Sequence, residues 1–191
     1  MKRLRAGAIA VYRYLRGSLG CGTAMLAALR WTGESTLDPG SPTRMEETMT
    51  RMARCSCGAL RAEVSGDPIR VIACHCDECQ RRTGSVFGVG AYYKREQVQI
   101  NGPSKAFVRP GPEKRTVTNH FCPECGTPLF WEGDIVPGIV GIAVGGFVDP
   151  DFPPPIISFF EKYKHPWVGF NHEPEHFLQR PTYTLWTNTN P

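Results

Sequence analysis

The chain has 191 residues, 41% of them hydrophobic and 21% charged, a composition typical of one globular domain with an extension. Residues 1–48 hold seven basic and four acidic residues, and the rest holds fifteen and fourteen, so most of the chain is near neutral and a nucleic-acid partner is disfavoured. No apolar run reaches the roughly 18 residues of a transmembrane helix, and no phosphate loop, dinucleotide-binding motif or serine-nucleophile motif occurs.

Residues 1–48 differ from the rest of the chain, because the first thirty carry six Lys or Arg and no acid. We expect a disordered or loosely helical N-terminal extension, although an arginine-rich, acid-poor segment also fits an organelle transit peptide. Arg13 and Arg16 interrupt the apolar stretch, which argues against a secretory signal. With no export signal and eight cysteines, the predicted compartment is a reducing cytoplasm, and Cys21 is interpreted as an incidental thiol.

A β pattern begins near residue 50, with short apolar or alternating segments separated by glycine and proline turns. Residues 77–83 form the predicted helix. The sequence predicts a mainly antiparallel β domain over 49–175 and a C-terminal tail over 176–191, with Phe130, Trp131 and Trp167 as core aromatics. The predicted strands lie within 60–64, 69–75, 86–93, 98–100, 105–109, 115–121, 128–132, 138–148 and 156–170.

Seven cysteines fall into three groups with metal-ligand spacing, and Cys-x-Cys and Cys-x-x-Cys turns suit a shared ion better than disulfides. Seven thiolates divide most naturally into a closed set of four and an open set of three. The partition stays open. The first and last pairs, two short turns called zinc knuckles (residues 55–57 and 122–125), could together form the closed site. Alternatively, the Cys-x-x-Cys pairs at 76–79 and 122–125 could form it. We favour the first, because both knuckles are followed by glycine. The groups are Cys55 and Cys57; Cys74, Cys76 and Cys79; Cys122 and Cys125.

The central triplet raises the question of a fourth ligand. His75 and Asp77 carry groups that bind zinc, but His75 lies between two ligands on an extended segment, where its side chain points away from them. We therefore expect an open position, taken by water or by a substrate sulfur.

Four stretches, RCSCGALRAEV, CHCDECQRRTGS, HFCPECGTPLFW and HPW, occur in this order. Together they resemble the glutathione-dependent formaldehyde-activating enzyme family, also called the centromere protein V family, across roughly residues 52–170. The resemblance implies an Mss4-like antiparallel β fold and two zinc ions per chain. It assigns Cys55, Cys57, Cys122 and Cys125 to a structural site, and Cys74, Cys76 and Cys79 to a catalytic one.

The resemblance also implies a carbon–sulfur lyase that combines a thiol such as glutathione with a small aldehyde such as formaldehyde. An open three-thiolate zinc suits this chemistry, because it favours a soft fourth ligand and lowers the pKa of a bound thiol. Arg81 and Arg82 lie one helical turn after the triplet, and either a carboxylate clamp or a solvated helix face accounts for them. The alternative function is a zinc-binding module, without catalysis, for protein or nucleic-acid interaction.

Overall fold

The computed structural model describes residues 49–111 and 114–180. The predicted N-terminal extension and most of the predicted C-terminal tail lie outside these residues, so their boundaries stay predictions. The α-helix α1 spans Asp77–Thr83, and short 3-10 helices span Arg95–Gln97, Val144–Gly146 and Glu161–Tyr163. The strands are β1 Thr50–Arg54, β2 Arg61–Ser65, β3 Arg70–Cys74, β4 Gly88–Lys94, β5 Val98–Asn101, β6 Lys105–Pro110, β7 Thr116–Phe121, β8 Pro128–Gly133, β9 Ile139–Ala143, β10 Ile157–Phe159 and β11 Glu175–His176.

Among the described residues the strands form two sheets. The smaller sheet has the order β1-β2-β5, and the larger has the order β11-β10-β3-β4-β9-β8-β7-β6. The pairs are antiparallel except at β10, which runs parallel to both β3 and β11. The chain therefore returns late to place β10 beside β3, the strand that leads into the cysteine triplet.

The core lies between the two sheets. Leu60 and Val64 from the region of the smaller sheet pack with Ala91, Tyr93 and residues of β8 and β9, and all four of these side chains are fully buried. Because side chains alternate along a strand, Ala91 and Tyr93 of β4 point into this core. The alternate residues of β4, Gly88, Gly90 and Tyr92, face the opposite side of the larger sheet, where the cavity described below lies.

Cys76 caps the start of helix α1, and its sulfur accepts a hydrogen bond from the backbone N–H of Cys79 at 3.4 Å. Acidic residues occupy its first turn and basic residues its last, which suits the helix dipole. Gly84 ends the helix with a φ of 67°, in the left-handed region that glycine tolerates best. The side chain of Cys76 therefore stabilises the first turn of the helix as well as belonging to a cysteine cluster.

The mainly β fold and the helix over 77–83 are confirmed. The prediction that Trp167 is a core aromatic is wrong: its side chain is 72% exposed, whereas Phe130 is 6% exposed. Trp167 follows Pro166 in an irregular segment rather than in a strand with an apolar face to cover. Within 49–111 and 114–180, no helix is long and apolar enough to cross a membrane.

Candidate metal centre and adjoining cavity

Two cysteine pairs that are far apart in the sequence come together in the fold. They are Cys55 with Cys57, and Cys122 with Cys125. Their four sulfurs lie within 4.8 Å of one another. The Cys57 and Cys122 sulfurs, separated by 65 positions, are 3.7 Å apart. This four-cysteine group therefore joins the turn after β1 to the turn after β7.

The two turns that form the four-cysteine group have matching hydrogen bonds. The backbone N–H of Cys55 donates to the carbonyl of Leu60, and that of Cys122 donates to Thr127, both at 3.0 Å. Gly58 and Gly126 close the turns with φ values of 78° and 72°, which explains the glycine after each pair. The Leu60 N–H also donates to the Cys55 sulfur at 3.2 Å, which stabilises negative charge there.

The sulfur spacing fits a tetrahedral metal ion. Zinc–sulfur bonds of about 2.3 Å in a tetrahedron place sulfurs about 3.8 Å apart. The distances of 3.5 Å between Cys55 and Cys57 and 3.7 Å between Cys57 and Cys122 are close to this value. The group could hold a metal ion.

Cys74, Cys76 and Cys79 form the second group, called the cysteine triplet below. Cys74 ends β3, Cys76 caps α1 and Cys79 lies in its first turn, so one strand-to-helix turn positions all three. Their sulfurs lie within 4.8 Å of one another, with 3.5 Å between those of Cys74 and Cys76. The triplet is half-buried and could also hold a metal ion.

The electrostatics of the cysteine triplet favour a bound cation. Hydrogen bonds from Cys74 and Cys79 hold the pKa of the Cys76 thiol well below its ordinary value, and the charge of Arg109 adds to this. The hydrogen bond from Cys74 to Cys76, together with burial, raises the pKa of the Cys74 thiol. Three thiolates this close cannot coexist at neutral pH unless a positive ion compensates them, which is what a metal ion would do.

His75 and Asp77 lie beside the triplet but their side chains leave it. Asp77 is exposed and accepts a hydrogen bond from Arg81 at 2.8 Å. His75 is fully buried, and its Nε2 lies 3.1 Å from the Ser158 hydroxyl oxygen. Among the described residues, the group of potential metal ligands at this turn contains cysteines alone.

A hydrogen-bond network lies behind the triplet. Ser158 donates to Glu161 at 2.6 Å, so its oxygen accepts from the Nε2–H of His75. Burial raises the pKa of the Glu161 carboxyl, but hydrogen bonds from Ser158, His176 and Lys164 outweigh it and lower the pKa to about 2. With the bond from the His75 backbone N–H to the Phe159 carbonyl at 3.0 Å, this network fixes the triplet turn against β10.

A cavity of about 190 Å³ opens beside the triplet, on the face of the larger sheet opposite the core. It is called the cysteine cavity below. Most of its wall is apolar, with charged groups at Arg82, Arg109, Glu132 and Arg180 and an amide at Asn119. Its floor is β4 and β9, where Gly90 and Gly141 carry no side chain. The larger apolar and aromatic residues of the wall are Ile72, Tyr92, Val117, Trp131, Ile135, Val136, Ile139, Phe159 and Phe160.

The two arginines of α1 have different environments. Arg81 is exposed and forms ion pairs with Asp77 and Glu78 at 2.8 and 2.6 Å. Arg82 instead lies over the Trp131 ring, with its guanidinium carbon 4.2 Å from the ring centroid, and it lines the cysteine cavity. The sequence left two interpretations open for these arginines. The environment of Arg81 is that of a solvated helix face, whereas the position of Arg82 is compatible with binding a carboxylate.

Several cavity residues could not be identified from sequence patterns. Trp131 was predicted as a core aromatic, yet it lies across Gly90 and Gly141 and lines the cavity. Arg109 and Asn119 come from β6 and β7, which only the sheet order brings near the triplet. The available signal was the glycine spacing in β4, where Gly88 and Gly90 lie on one face and leave room above the sheet.

The chain is similar to proteins of one known family. The sequence model of the family described as "Glutathione-dependent formaldehyde-activating enzyme" matches residues 50–163, more than half of the chain. This range includes all seven clustered cysteines. A crystal structure of a Rhodobacter sphaeroides protein is similar at 21% identity, covering 56% of this chain and 98% of that one, with a TM-score of 0.44.

Proposed function

The chain belongs to the glutathione-dependent formaldehyde-activating enzyme family, and on that premise we propose that it is a zinc-dependent carbon–sulfur lyase. Its reaction would join a thiol such as glutathione to a small aldehyde such as formaldehyde, and would also run in reverse. The proposed catalytic residues are Cys74, Cys76 and Cys79. The proposed structural zinc ligands are Cys55, Cys57, Cys122 and Cys125, which gives two zinc ions per chain.

The contrast between the two cysteine groups carries this proposal. The first group brings four sulfurs together, enough to close a tetrahedral site. The second brings three sulfurs together beside a cavity, with His75 and Asp77 turned to other partners. A closed set suits a structural metal, and a three-ligand set beside a cavity suits a catalytic one.

The reaction needs no redox partner. The thiol sulfur forms a bond to the carbonyl carbon, the carbonyl π bond opens, and the thiol proton is replaced by one on the new hydroxyl oxygen. Cys74, Cys76 and Cys79 would hold zinc, and zinc held there would lower the pKa of a thiol bound to it. Holding both partners in one cavity would add to the rate, because it makes a bimolecular step effectively unimolecular.

The residues around the triplet have distinct proposed roles. Arg82 would bind a carboxylate of the thiol substrate, because the Trp131 ring holds its guanidinium in place and a guanidinium matches a carboxylate. Arg109 would offset the negative charge of the thiolates. The network of His75, Ser158 and Glu161 would hold the triplet turn.

Metal content tests the assignment of the two sites. We expect about two zinc ions per chain, and about one in Cys76→Ser with the fold retained. Cobalt substitution provides the matching spectroscopic test, in which added glutathione changes the spectrum of one of the two sites. A cobalt spectrum that glutathione leaves unchanged would favour the alternative, a zinc-binding module without catalysis.

The two arginines of α1 provide a matched pair for substrate binding. Arg82→Gln removes the proposed carboxylate partner and should raise KM for glutathione about 10- to 100-fold, as expected for a charged hydrogen bond. Arg81→Gln removes an exposed arginine from the same helix and should leave KM unchanged. Equal KM values in both variants would contradict the role of Arg82.

A further inference from the structure

The cysteine cavity is larger than formaldehyde requires. Its volume is about 190 Å³, whereas a single water molecule needs about 10–15 Å³ of such space. An apolar protein cavity of about 150 Å³ can take up benzene. The space beside the triplet therefore accommodates a substituent of about the size of a phenyl ring.

Three strands keep this space open and give it an aromatic surface. Trp131, Gly141 and Tyr92 lie in one row across β8, β9 and β4. A Cβ at Gly90 would lie 2.5 Å from the Trp131 ring, and one at Gly141 would overlap the indole. The glycines thus let Trp131 lie flat along the sheet, with Tyr92 packed edge-on at 5.9 Å between ring centroids.

Arg82 and the apolar side chain of Ile139 lie at different ends of the cavity. Arg82 lies at the end near the triplet, because a Cβ at Gly88 would be 2.9 Å from its guanidinium and 3.6 Å from the Cβ of Cys79. Gly88 pairs with Cys74 at one end of β4 and Lys94 pairs with Ile139 at the other, so Ile139 lies away from the triplet. Glu132 also lines the cavity in this part of the wall. If the carboxylate of the thiol substrate binds Arg82, the apolar wall remains available to the substituent on the carbonyl carbon of the aldehyde.

The wall beside the triplet is also held in place. Phe160 lines the cavity with a φ of 56°, a left-handed conformation that is uncommon for a large side chain. Glu161, the next residue, accepts hydrogen bonds from Ser158 and Lys164 at 2.6 and 3.0 Å. These contacts hold the backbone next to Phe160 in place.

We propose that the cysteine cavity selects aldehydes with an apolar, preferably aromatic, substituent, and that formaldehyde is the poorer substrate. This inference rests on the proposed function, because it takes the triplet as the place where carbon–sulfur bond formation occurs. The thiol adds across the carbonyl as described above, and the product is a hemithioacetal whose carbon carries the apolar group. The substituent would lie against Ile139 and beside the Trp131 ring, which packs on the glycines of the floor and is covered by Arg82.

Binding without turnover provides the first test. S-benzylglutathione and S-methylglutathione carry no free thiol and differ in their apolar group. In calorimetry we expect S-benzylglutathione to bind the zinc-loaded protein at least about tenfold more tightly than S-methylglutathione. The reason is that binding transfers the apolar surface of its phenyl ring from water into the cavity. Equal affinities would overturn the inference whether or not the protein is an enzyme.

Turnover provides the second test. Exchange between free aldehyde and its glutathione adduct is measured by NMR above the uncatalysed rate, with phenylacetaldehyde and with formaldehyde. We expect the larger catalysed rate with phenylacetaldehyde. A larger rate with formaldehyde, or a preference for formaldehyde plus an aromatic thiol, would contradict the inference. Absence of catalysis with every pair would refute the proposed function, and the binding comparison would still decide the cavity's preference.

A substitution in the floor separates the cavity from the rest of the site. Gly90→Ala places a methyl group against Trp131 and should push the indole into the space above the sheet. The ratio of the phenylacetaldehyde rate to the formaldehyde rate should then fall about tenfold, while Arg81→Gln keeps the wild-type ratio. Thermal unfolding checks that Gly90→Ala folds, and Ile139→Ala, which enlarges the same wall, should change the ratio as well. Unchanged ratios in both folded variants would overturn the inference.

Discussion

The two cysteine groups should differ in how much they stabilise the fold. Cys57→Ser with Cys125→Ser leaves two sulfurs in the four-cysteine group, too few to hold the ion. Both residues are exposed, so the double substitution removes little packing. Cys76→Ser with Cys79→Ser is the matched change in the triplet.

The expected magnitude depends on the loop that each site closes. A cross-link between Cys57 and Cys122 encloses 65 positions, and the chain-entropy relation for a cross-link gives about 4 kcal/mol for a loop of that length. Cys74 and Cys79 are five positions apart, and the same relation gives about 2 kcal/mol. Loop length alone therefore predicts a difference of about 2 kcal/mol.

Urea unfolding of the zinc-loaded proteins, followed by circular dichroism, measures the two losses. Zinc content determined on the same samples should fall from about two ions to about one in each double variant. The Cys57/Cys125 variant should be the less stable by about 2 kcal/mol. Equal losses, or a greater loss in the Cys76/Cys79 variant, would refute the view that the four-cysteine group is what joins distant parts of the chain.

Four further substitutions test the packing and the polar network. Leu129→Ala should cost about 2–5 kcal/mol in urea unfolding because Leu129 is fully buried, whereas Trp167→Ala should change stability by less than about 0.5 kcal/mol. Tyr93→Phe should be neutral or stabilising in thermal unfolding, because the buried Tyr93 hydroxyl has no hydrogen-bond partner among the described residues. The pKa of Glu161 is lower in the folded protein, about 2, than its ordinary value of 4.5. Ionised Glu161 therefore stabilises the fold at pH values above 4.5, and this stabilisation is lost as the pH falls towards about 2. Glu161→Gln should therefore be less stable than wild type at pH 6, and the gap should narrow as acid unfolding is followed through that window.

Local signals in the sequence were enough to predict the helix and the cysteine turns. Asp77 and Glu78 at one end of 77–83 and Gly84 beyond the other are start and stop signals that depend on neighbouring residues alone. The glycines after the two knuckles carry the positive φ that their turns need. In these places backbone geometry and side-chain chemistry act within a few residues.

Features that depend on sheet order were not predictable in the same way. Nothing near 157–159 indicates a parallel partner, yet β10 pairs with β3 and supplies Phe159 to the cavity wall. An apolar strand segment such as residues 128–132 shows which residues alternate, but not which face meets the core. Trp131 was for that reason assigned to the core, although the glycines of β4 and β9 place it on the cavity side.

The late return of β10 has a consequence for the newly made protein. His75 is synthesised 83 positions before Ser158, its hydrogen-bond partner. At about 5–20 residues per second, a ribosome needs roughly 4 to 17 s to cover that distance. During this interval the cysteine triplet has been synthesised but β10, the strand that pairs with β3 next to it, has not. Binding of the proposed zinc ion to these sulfurs would then compete with their oxidation before β10 is in place.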